Sequence, residues 1–139
     1  MRTAASKPRQ PFQFQLDVRS GVPVYRQIID QVLGGISVGN LKPGDQLPTV
    51  RQLAVDLSIN PNTVVRAYRE LEIRAILATQ QGTGTFITEK TVKTNEIEHQ
   101  RQIAQLAKDF LARAGAAGIT LQELLDYLSE VKTEKDRRA

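Results

Sequence analysis

Two short helical patterns follow one another in the middle of the chain with almost no linker between them. The first covers Val50–Leu57 and follows Thr49, a residue type that caps helix N-termini well. The second runs from Pro61, which suits the first turn of a helix, to about residue 74, and Asn60 can cap it. Two helices joined by so brief a link have the spacing of a helix-turn-helix unit, which constrains the fold more than any other feature.

The residues before this unit predict one more helix and a turn. Apolar side chains recur at helical spacing through 24–36, and Gly39 supplies a stop signal. Residues 41–48 have the composition of a turn, in which Pro43 and Gly44 fit the two central positions of type II. A first helix would therefore pack beside the helix-turn-helix unit.

The residues after the unit predict a hairpin and then two more helices. Apolar runs at 76–78 and 85–88 flank a glycine-rich stretch, which favours a β-hairpin. A helical pattern returns over 92–114, and Thr120 with Glu123 forms a capping box for a last helix. Three helices followed by a hairpin is the element order of a winged helix.

The fold class predicted from these patterns is mainly α, with a small β component (α+β). Near the N-terminus, residues 12–16 alternate apolar side chains with glutamines, which fits either a short strand or an arm that docks on the body. The predicted parts are a flexible tail at 1–13, a winged helix-turn-helix domain at 14–90, a helical region at 91–132 and a frayed tail at 133–139.

The helix predicted over 61–74 has two opposite faces when its residues are placed about 100° apart. Its apolar face consists of Val64, Ala67, Tyr68 and Leu71. Its polar face consists of Asn62, Arg66 and Arg69, with Thr63 and Val65 at the flanks. The apolar face can fix the helix on the domain while the polar face reaches DNA, where asparagine pairs best with adenine and arginine with guanine or phosphate.

The alternative is that Arg66 and Arg69 lie on a solvated face and pair with Glu70 and Glu72. For an isolated amphipathic helix this would be the better interpretation. The short helix before residue 61 and the hairpin after the helix favour DNA recognition instead.

Two further places on the predicted domain suit DNA contact. Thr49, besides its role as a cap, and Arg51 begin a helix whose N-terminus favours phosphate. Gly82 and Gly84 would let backbone N–H groups at the hairpin tip approach a phosphate or enter a minor groove. A hairpin turn with positive φ would require the same glycines, so both interpretations of them stay open.

Composition and charge bound the remaining function classes. The 139 residues carry a net charge of +4, with +3 in residues 1–20, +1 in 21–90 and zero in 91–139, so any basic surface must be local. The lack of cysteine excludes disulfides and thiolate metal sites and fits the cytoplasm. No stretch approaches the ~20 apolar residues of a membrane span, and we expect neither a signal peptide nor membrane association.

Catalytic chemistry finds little support in the sequence. The single histidine, His99, and the scattered carboxylates offer no set of nucleophile and base. A metal site beside Glu96 and Glu98 is the alternative for His99, but a solvated histidine is the better interpretation. We therefore predict that the protein is not an enzyme and has no cofactor and no metal.

Four motifs stand in and around the predicted DNA-binding elements. They are PVYRQI at 23–28, LPTVRQLA at 47–54, NPNTVVRAYRELE at 60–72 and GTGTFI at 82–87. Together they resemble the GntR family of bacterial transcription regulators over about residues 14–88. The start of the third motif and the short C-terminal part resemble the YtrA-type subfamily in particular. The resemblance implies a sequence-specific regulator in the cytoplasm, with repression as the family default.

The resemblance also implies residue roles, with DNA contact at Arg51, Asn62, Thr63, Arg66 and the wing. With the assignments above, the predicted DNA-binding residues are Thr49, Arg51, Asn60, Asn62, Thr63, Arg66, Arg69, Gly82, Thr83 and Gly84.

Two departures from the family pattern have consequences. Gln80 and Gln81 stand where the wing usually carries arginine or lysine, which predicts a weaker electrostatic contact and a smaller salt dependence. Ala75 stands near a usual glycine, which predicts a slightly different exit from the helix.

The C-terminal helices resemble the pair that YtrA-type members use for dimerisation, particularly over 114–128. Their apolar stripes cannot all be buried within so short a region, so pairing with a second copy is favoured over folding back on the winged helix. The predicted dimerisation residues are Phe110, Leu111, Leu121, Leu124, Leu125 and Leu128. The homodimer would bind a pseudo-palindromic operator in double-stranded DNA through two copies of helix 61–74 and of the wing at 80–85.

About 50 residues follow the wing, too few for the usual enclosed ligand pocket of about 300 Å³ or more. A small-molecule effector would have to bind at the dimer interface or between domains. It would act by changing the spacing of the two DNA-binding domains in the dimer. The alternative function is a winged helix that contacts another protein without specific DNA binding. Such a module would usually lack the polar and basic face of helix 61–74.

Overall fold

The computed structural model describes residues 12–89 and 95–138, and the chain divides into two compact units between Glu89 and Lys90. Most of the tail predicted for 1–13 lies outside the described residues. The first unit contains α1 (Val24–Val38), β1 (Gln46–Leu47), α2 (Val50–Leu57), α3 (Pro61–Ile73), β2 (Leu77–Gln80) and β3 (Gly84–Ile87). The second contains α4 (Glu96–Ala116) and α5 (Leu121–Arg138). No helix in these ranges is long and apolar enough to cross a membrane.

Local capping signals set the ends of α2 and α3 as predicted. The Thr49 side chain accepts a hydrogen bond from the Gln52 backbone N–H at 3.1 Å, which starts α2. The helix ends at Ser58, which adopts a left-handed conformation with φ 55°. Asn60 then accepts from the Asn62 backbone N–H at 2.8 Å and starts α3. The brief link of the predicted helix-turn-helix unit is confirmed.

The core of the first unit forms around α3, which packs against α1, α2 and β2. The residues of α3 that face this core are Val64, Ala67, Tyr68 and Leu71, as the apolar face predicted. The Tyr68 hydroxyl donates a 2.7 Å hydrogen bond to the Pro48 carbonyl, and burial raises the pKa of Tyr68, so the phenol stays a donor.

The sheet has three antiparallel strands in the order β1-β3-β2, so the predicted hairpin is present and pairs with one further strand, β1, which was not predicted. The predicted turn is present, since Gly44 has φ 87° and the Asp45 N–H donates to the Lys42 carbonyl at 3.0 Å. The segment 41–48 nevertheless also contains β1, in which Leu47 is buried and lies opposite Thr85. A strand of two residues shows no alternation long enough to be recognised in a sequence.

The segment before α1 is an arm that docks on this helix, and residues 12–17 form no strand. Phe14 is buried in the core, and its ring meets that of Phe12 edge to face at 5.0 Å between centroids. The Gln31 side chain accepts from the Gln15 backbone N–H at 2.9 Å and donates to the Gln15 carbonyl at 2.6 Å. Gln27, one turn earlier, binds Asp17 in the same two-way manner.

The second unit consists of two helices joined by a turn. Asn95 caps α4 by accepting from the Ile97 backbone N–H at 3.1 Å, and Thr120 accepts from the Glu123 N–H at 3.2 Å, as expected for half of a capping box. Beyond the turn, the described parts of α4 and α5 make almost no contact with each other. The helix α5 extends to Arg138, through most of the segment 133–139 for which fraying was predicted.

Two neighbouring glycines of α1 give a direct test of how the N-terminal arm packs on this helix. A Cβ at Gly35 would lie 2.8 Å from the Phe12 ring and 3.1 Å from Leu41, whereas a Cβ at Gly34 would meet nothing within 4 Å. Gly34→Ala should raise the free energy of unfolding by about 0.5–1 kcal/mol, because alanine loses less backbone entropy in a helix. Gly35→Ala should lower it by about 1–3 kcal/mol through overpacking. Urea unfolding of both variants measures the difference, and equal responses would contradict the docked arm.

Candidate DNA-binding surface

The outer face of α3 is the most conspicuous polar surface of the first unit. Asn62, Arg66 and Arg69 are exposed on it, as predicted, while Thr63 and Val65 at its flanks are half-buried. Because the opposite face is buried throughout, α3 cannot rotate about its axis without exposing its apolar residues. The fold therefore keeps one asparagine and two arginines pointing away from the body.

The glutamates that could have neutralised this face are engaged elsewhere. Glu70 forms an ion pair with Arg74 at 2.9 Å, and Glu72 accepts a 2.7 Å hydrogen bond from the Thr79 hydroxyl. Neither Arg66 nor Arg69 forms an ion pair with a described carboxylate. The ion pairs with Glu70 and Glu72 that the alternative included are therefore not formed by these two arginines.

Arg66 has a different partner, which was not predicted from the sequence. The central carbon of its guanidinium group lies 3.7 Å from the centroid of the Tyr25 ring, in the first turn of α1. This is a cation–π contact between two helices whose residues stand 41 positions apart. No local pattern could reveal it, although Tyr25 lies within the PVYRQI motif.

The N-termini of α2 and α3 supply the next predicted residues. Thr49 and Arg51 are both exposed, and Thr49 also caps α2. Asn60 is exposed too, but its side-chain oxygen is occupied by the Asn62 backbone N–H at 2.8 Å. Asn60 therefore has a structural role as the N-cap of α3.

The wing is a tight β2–β3 hairpin whose tip is exposed at Gly82 and Thr83. Gly82 has φ 79° and Gly84 has φ 136°, conformations that L side chains rarely adopt. A Cβ at Gly84 would also collide with the Gln46 side chain, whose amide donates to the Thr83 carbonyl at 3.2 Å. The hairpin itself therefore requires the glycines, whether or not its backbone also approaches DNA.

The exit from α3 places an alanine in a conformation that glycine adopts more readily. Ala75 has φ 60°, and its carbonyl accepts a 2.7 Å hydrogen bond from the Thr88 hydroxyl, which ties the helix end to the end of β3. The departure from the family pattern at this position is therefore a local backbone strain next to the wing.

A three-helix domain with a β-hairpin wing and an uncompensated polar and basic face on its third helix defines a DNA-binding transcription regulator. Residues 24–87 match the family of bacterial regulatory proteins called the gntR family. The chain is 39% identical over 120 residues to the HTH-type transcriptional repressor YtrA of Bacillus subtilis, covering 86% of this chain and 92% of that protein. The chain belongs to the GntR family, and the predicted likeness to its YtrA-type members is confirmed.

Other relatives agree with this assignment. The chain is 40% identical over 117 residues to the HTH-type transcriptional regulator Rv1152 of Mycobacterium tuberculosis, covering 84% of this chain and 92% of that protein. A GntR family regulator from Listeria monocytogenes has a similar structure, with a TM-score of 0.55, 34% identity and coverage of 80% and 96%. For YtrA from Sulfolobus acidocaldarius the TM-score is 0.54, the identity 30% and the coverage 71% and 97%.

Relief of the strain at Ala75 should stabilise the protein. A left-handed residue other than glycine costs about 1–2 kcal/mol of folding free energy, which a glycine would recover. Part of that recovered free energy is lost again, because glycine has a larger backbone entropy in the unfolded chain. Ala75→Gly should therefore raise the free energy of unfolding by up to about 1 kcal/mol, measured by urea unfolding. Ala75→Val should lower it, since a β-branched side chain tolerates this conformation poorly. A fall in stability for Ala75→Gly would contradict the left-handed exit.

Proposed function

We propose that this protein is a sequence-specific transcriptional repressor that binds a pseudo-palindromic operator as a homodimer. The observation that carries the proposal is the outer face of α3, where Arg66 and Arg69 have no carboxylate partner among the described residues. Membership of a family of transcription regulators and the name of the Bacillus subtilis relative support repression. Its site of action would be the cytoplasm, where bacterial operators lie.

In the proposed complex, α3 enters the major groove with its N-terminal half foremost. Asn62 and Arg66 lie one turn apart on the exposed face, a spacing that suits contacts with neighbouring base pairs. Thr49, Arg51 and Arg69 would contact phosphates beside the groove, and Thr63 would flank the base contacts. The wing tip carries Gln80 and Gln81 in place of basic residues, so the backbone at 82–84 would add a contact of low salt dependence.

Dimerisation rests on the apolar side chains that α4 and α5 expose. Phe110 is 49% exposed, Leu121 55% and Leu128 51%, whereas Ala114 is the only buried residue of the described second unit. Leu111 and Leu125 are also exposed, and Leu124 is half-buried. Exposed apolar stripes of this extent mark protein interfaces, and a second copy of the same stripes is their simplest partner.

Replacing Arg66 tests whether the outer face of α3 recognises DNA. A duplex can be selected from a random pool with the wild-type protein, and binding measured by fluorescence anisotropy over a series of salt concentrations. Arg66→Ala should weaken binding to this duplex by about tenfold and relax the preference at one base pair, because a bidentate arginine contact is lost. The control is Arg101→Ala, which removes an exposed arginine of α4 that contacts Glu98 at 3.8 Å.

Two results would contradict this part of the proposal. Unchanged affinity and sequence preference in Arg66→Ala would show that α3 does not read the duplex. Failure of the wild-type protein to select any duplex, or binding without salt dependence, would favour the protein-interaction module instead.

Replacing two leucines of α5 tests the dimer. The Leu125→Gln, Leu128→Gln double variant should raise the dimer dissociation constant at least tenfold, because each change is made twice in a symmetric interface and removes buried apolar area. Sedimentation equilibrium measures the constant. Glu130→Gln, which changes a residue about 140° around the helix from Leu125, should leave it unaltered. A wild-type monomer at micromolar concentration would contradict the proposed assembly.

A further inference from the structure

The contact between Tyr25 and Arg66 joins the proposed recognition helix to α1. Arg66 is exposed, whereas Tyr25 is half-buried and packs against the edge of the core. The guanidinium carbon lies 3.7 Å from the ring centroid, a distance at which the two planar groups are in van der Waals contact. One side of the arginine is thus covered by α1, a helix for which no DNA-contacting residue was predicted.

The position of Tyr25 is held firmly, although the residue lies in the first turn of a helix, where fraying is usual. The Gln27 side chain donates hydrogen bonds to the Val22 carbonyl at 2.8 Å and to the Asp17 carbonyl at 2.9 Å, and accepts from the Asp17 N–H at 2.8 Å. These bonds fasten the incoming arm to the start of α1 on both sides of Tyr25. The ring is therefore carried by an anchored piece of backbone.

The chemistry of the guanidinium group makes this arrangement suited to recognition. Its N–H donors point outward in the plane of the group, and an aromatic ring occupies only one face of that plane. A carboxylate partner would instead take the donor edge and neutralise the charge, as Glu70 does for Arg74 at 2.9 Å. Tyr25 thus restrains Arg66 and leaves its donors available for a guanine edge or a phosphate.

We propose that Tyr25 is a positioning residue for DNA recognition, which holds the Arg66 guanidinium in its binding orientation before DNA arrives. An arginine side chain that is ordered in advance loses less conformational entropy on binding. The inference rests on the proposed function, since it assigns to Tyr25 a part in the same DNA-binding surface. It predicts that the ring contributes to affinity only through Arg66.

The test combines variants at the two positions in a double-mutant cycle. Tyr25→Phe keeps the ring and should bind the selected duplex within about twofold of wild type. Tyr25→Leu removes the ring and should weaken that binding about two- to fivefold, the size of an exposed cation–π contact, while binding to a scrambled duplex changes less. In the Arg66→Ala background, Tyr25→Leu should have no further effect. Urea unfolding of every variant measures whether the packing of α1 has changed, and Tyr25→Met replaces Tyr25→Leu if the latter does not fold.

A second measurement addresses the free protein. The Nε–Hε signal of Arg66 in NMR spectra should show a ring-current shift that persists in Tyr25→Phe and disappears in Tyr25→Leu. The proposal would be overturned if Tyr25→Leu lowered the affinity equally in the wild-type and in the Arg66→Ala background. Tyr25 would then act directly on DNA or through the fold. Wild-type affinity in a folded Tyr25→Leu variant would overturn it as well. The wild-type selection and the Arg66→Ala variant decide the proposed function separately, so failure of one inference is distinguishable from failure of the other.

Discussion

Burial of one face of α3 is the interaction on which the rest of the first unit depends. Val64 and Leu71 are fully buried between α1, α2 and the sheet, and each such side chain contributes about 1.5–3 kcal/mol. The Tyr68 hydroxyl ties the same face to Pro48, just before α2. Because a helix with one buried stripe has a single stable rotation about its axis, this packing also decides which side chains of α3 face outward.

The charges on the outer face depend on the contacts that the acidic residues make at the C-terminal end of α3. Glu70 is paired with Arg74 one turn further along, and Glu72 with Thr79 of β2, so only Glu72 joins the helix to the wing. The two arginines nearer the centre of the helix are left without carboxylates among the described residues. A net charge of +4 for the whole chain conceals this separation, since a basic surface depends on where acidic partners lie and not on the total.

Features that depend on local signals were predictable from the sequence. Thr49, Asn60 and Gly39 mark helix boundaries through their own side chains or backbone conformations, and the structure places the helix ends beside them. The two faces of α3 followed from periodicity alone. The strand β1 did not, because two residues carry no period and its pairing with β3 joins segments about 40 residues apart. The Tyr25–Arg66 contact was not predictable either, because it joins residues that stand far apart in the sequence.

The wing shows why a residue type alone does not define its role. A glycine at position 84 could allow close approach to DNA, yet its φ of 136° is already a conformation that other residues rarely adopt, and the Gln46 side chain lies beside it. Gln46 lies on β1, the strand that the sequence did not reveal, and its amide supports the Thr83 carbonyl at the wing tip. With neutral glutamines at 80 and 81, the wing offers a shaped backbone but no side-chain charge. In the proposed complex, discrimination between sequences would therefore fall mainly to α3, and the orientation of its arginines would matter more than it would beside a basic wing.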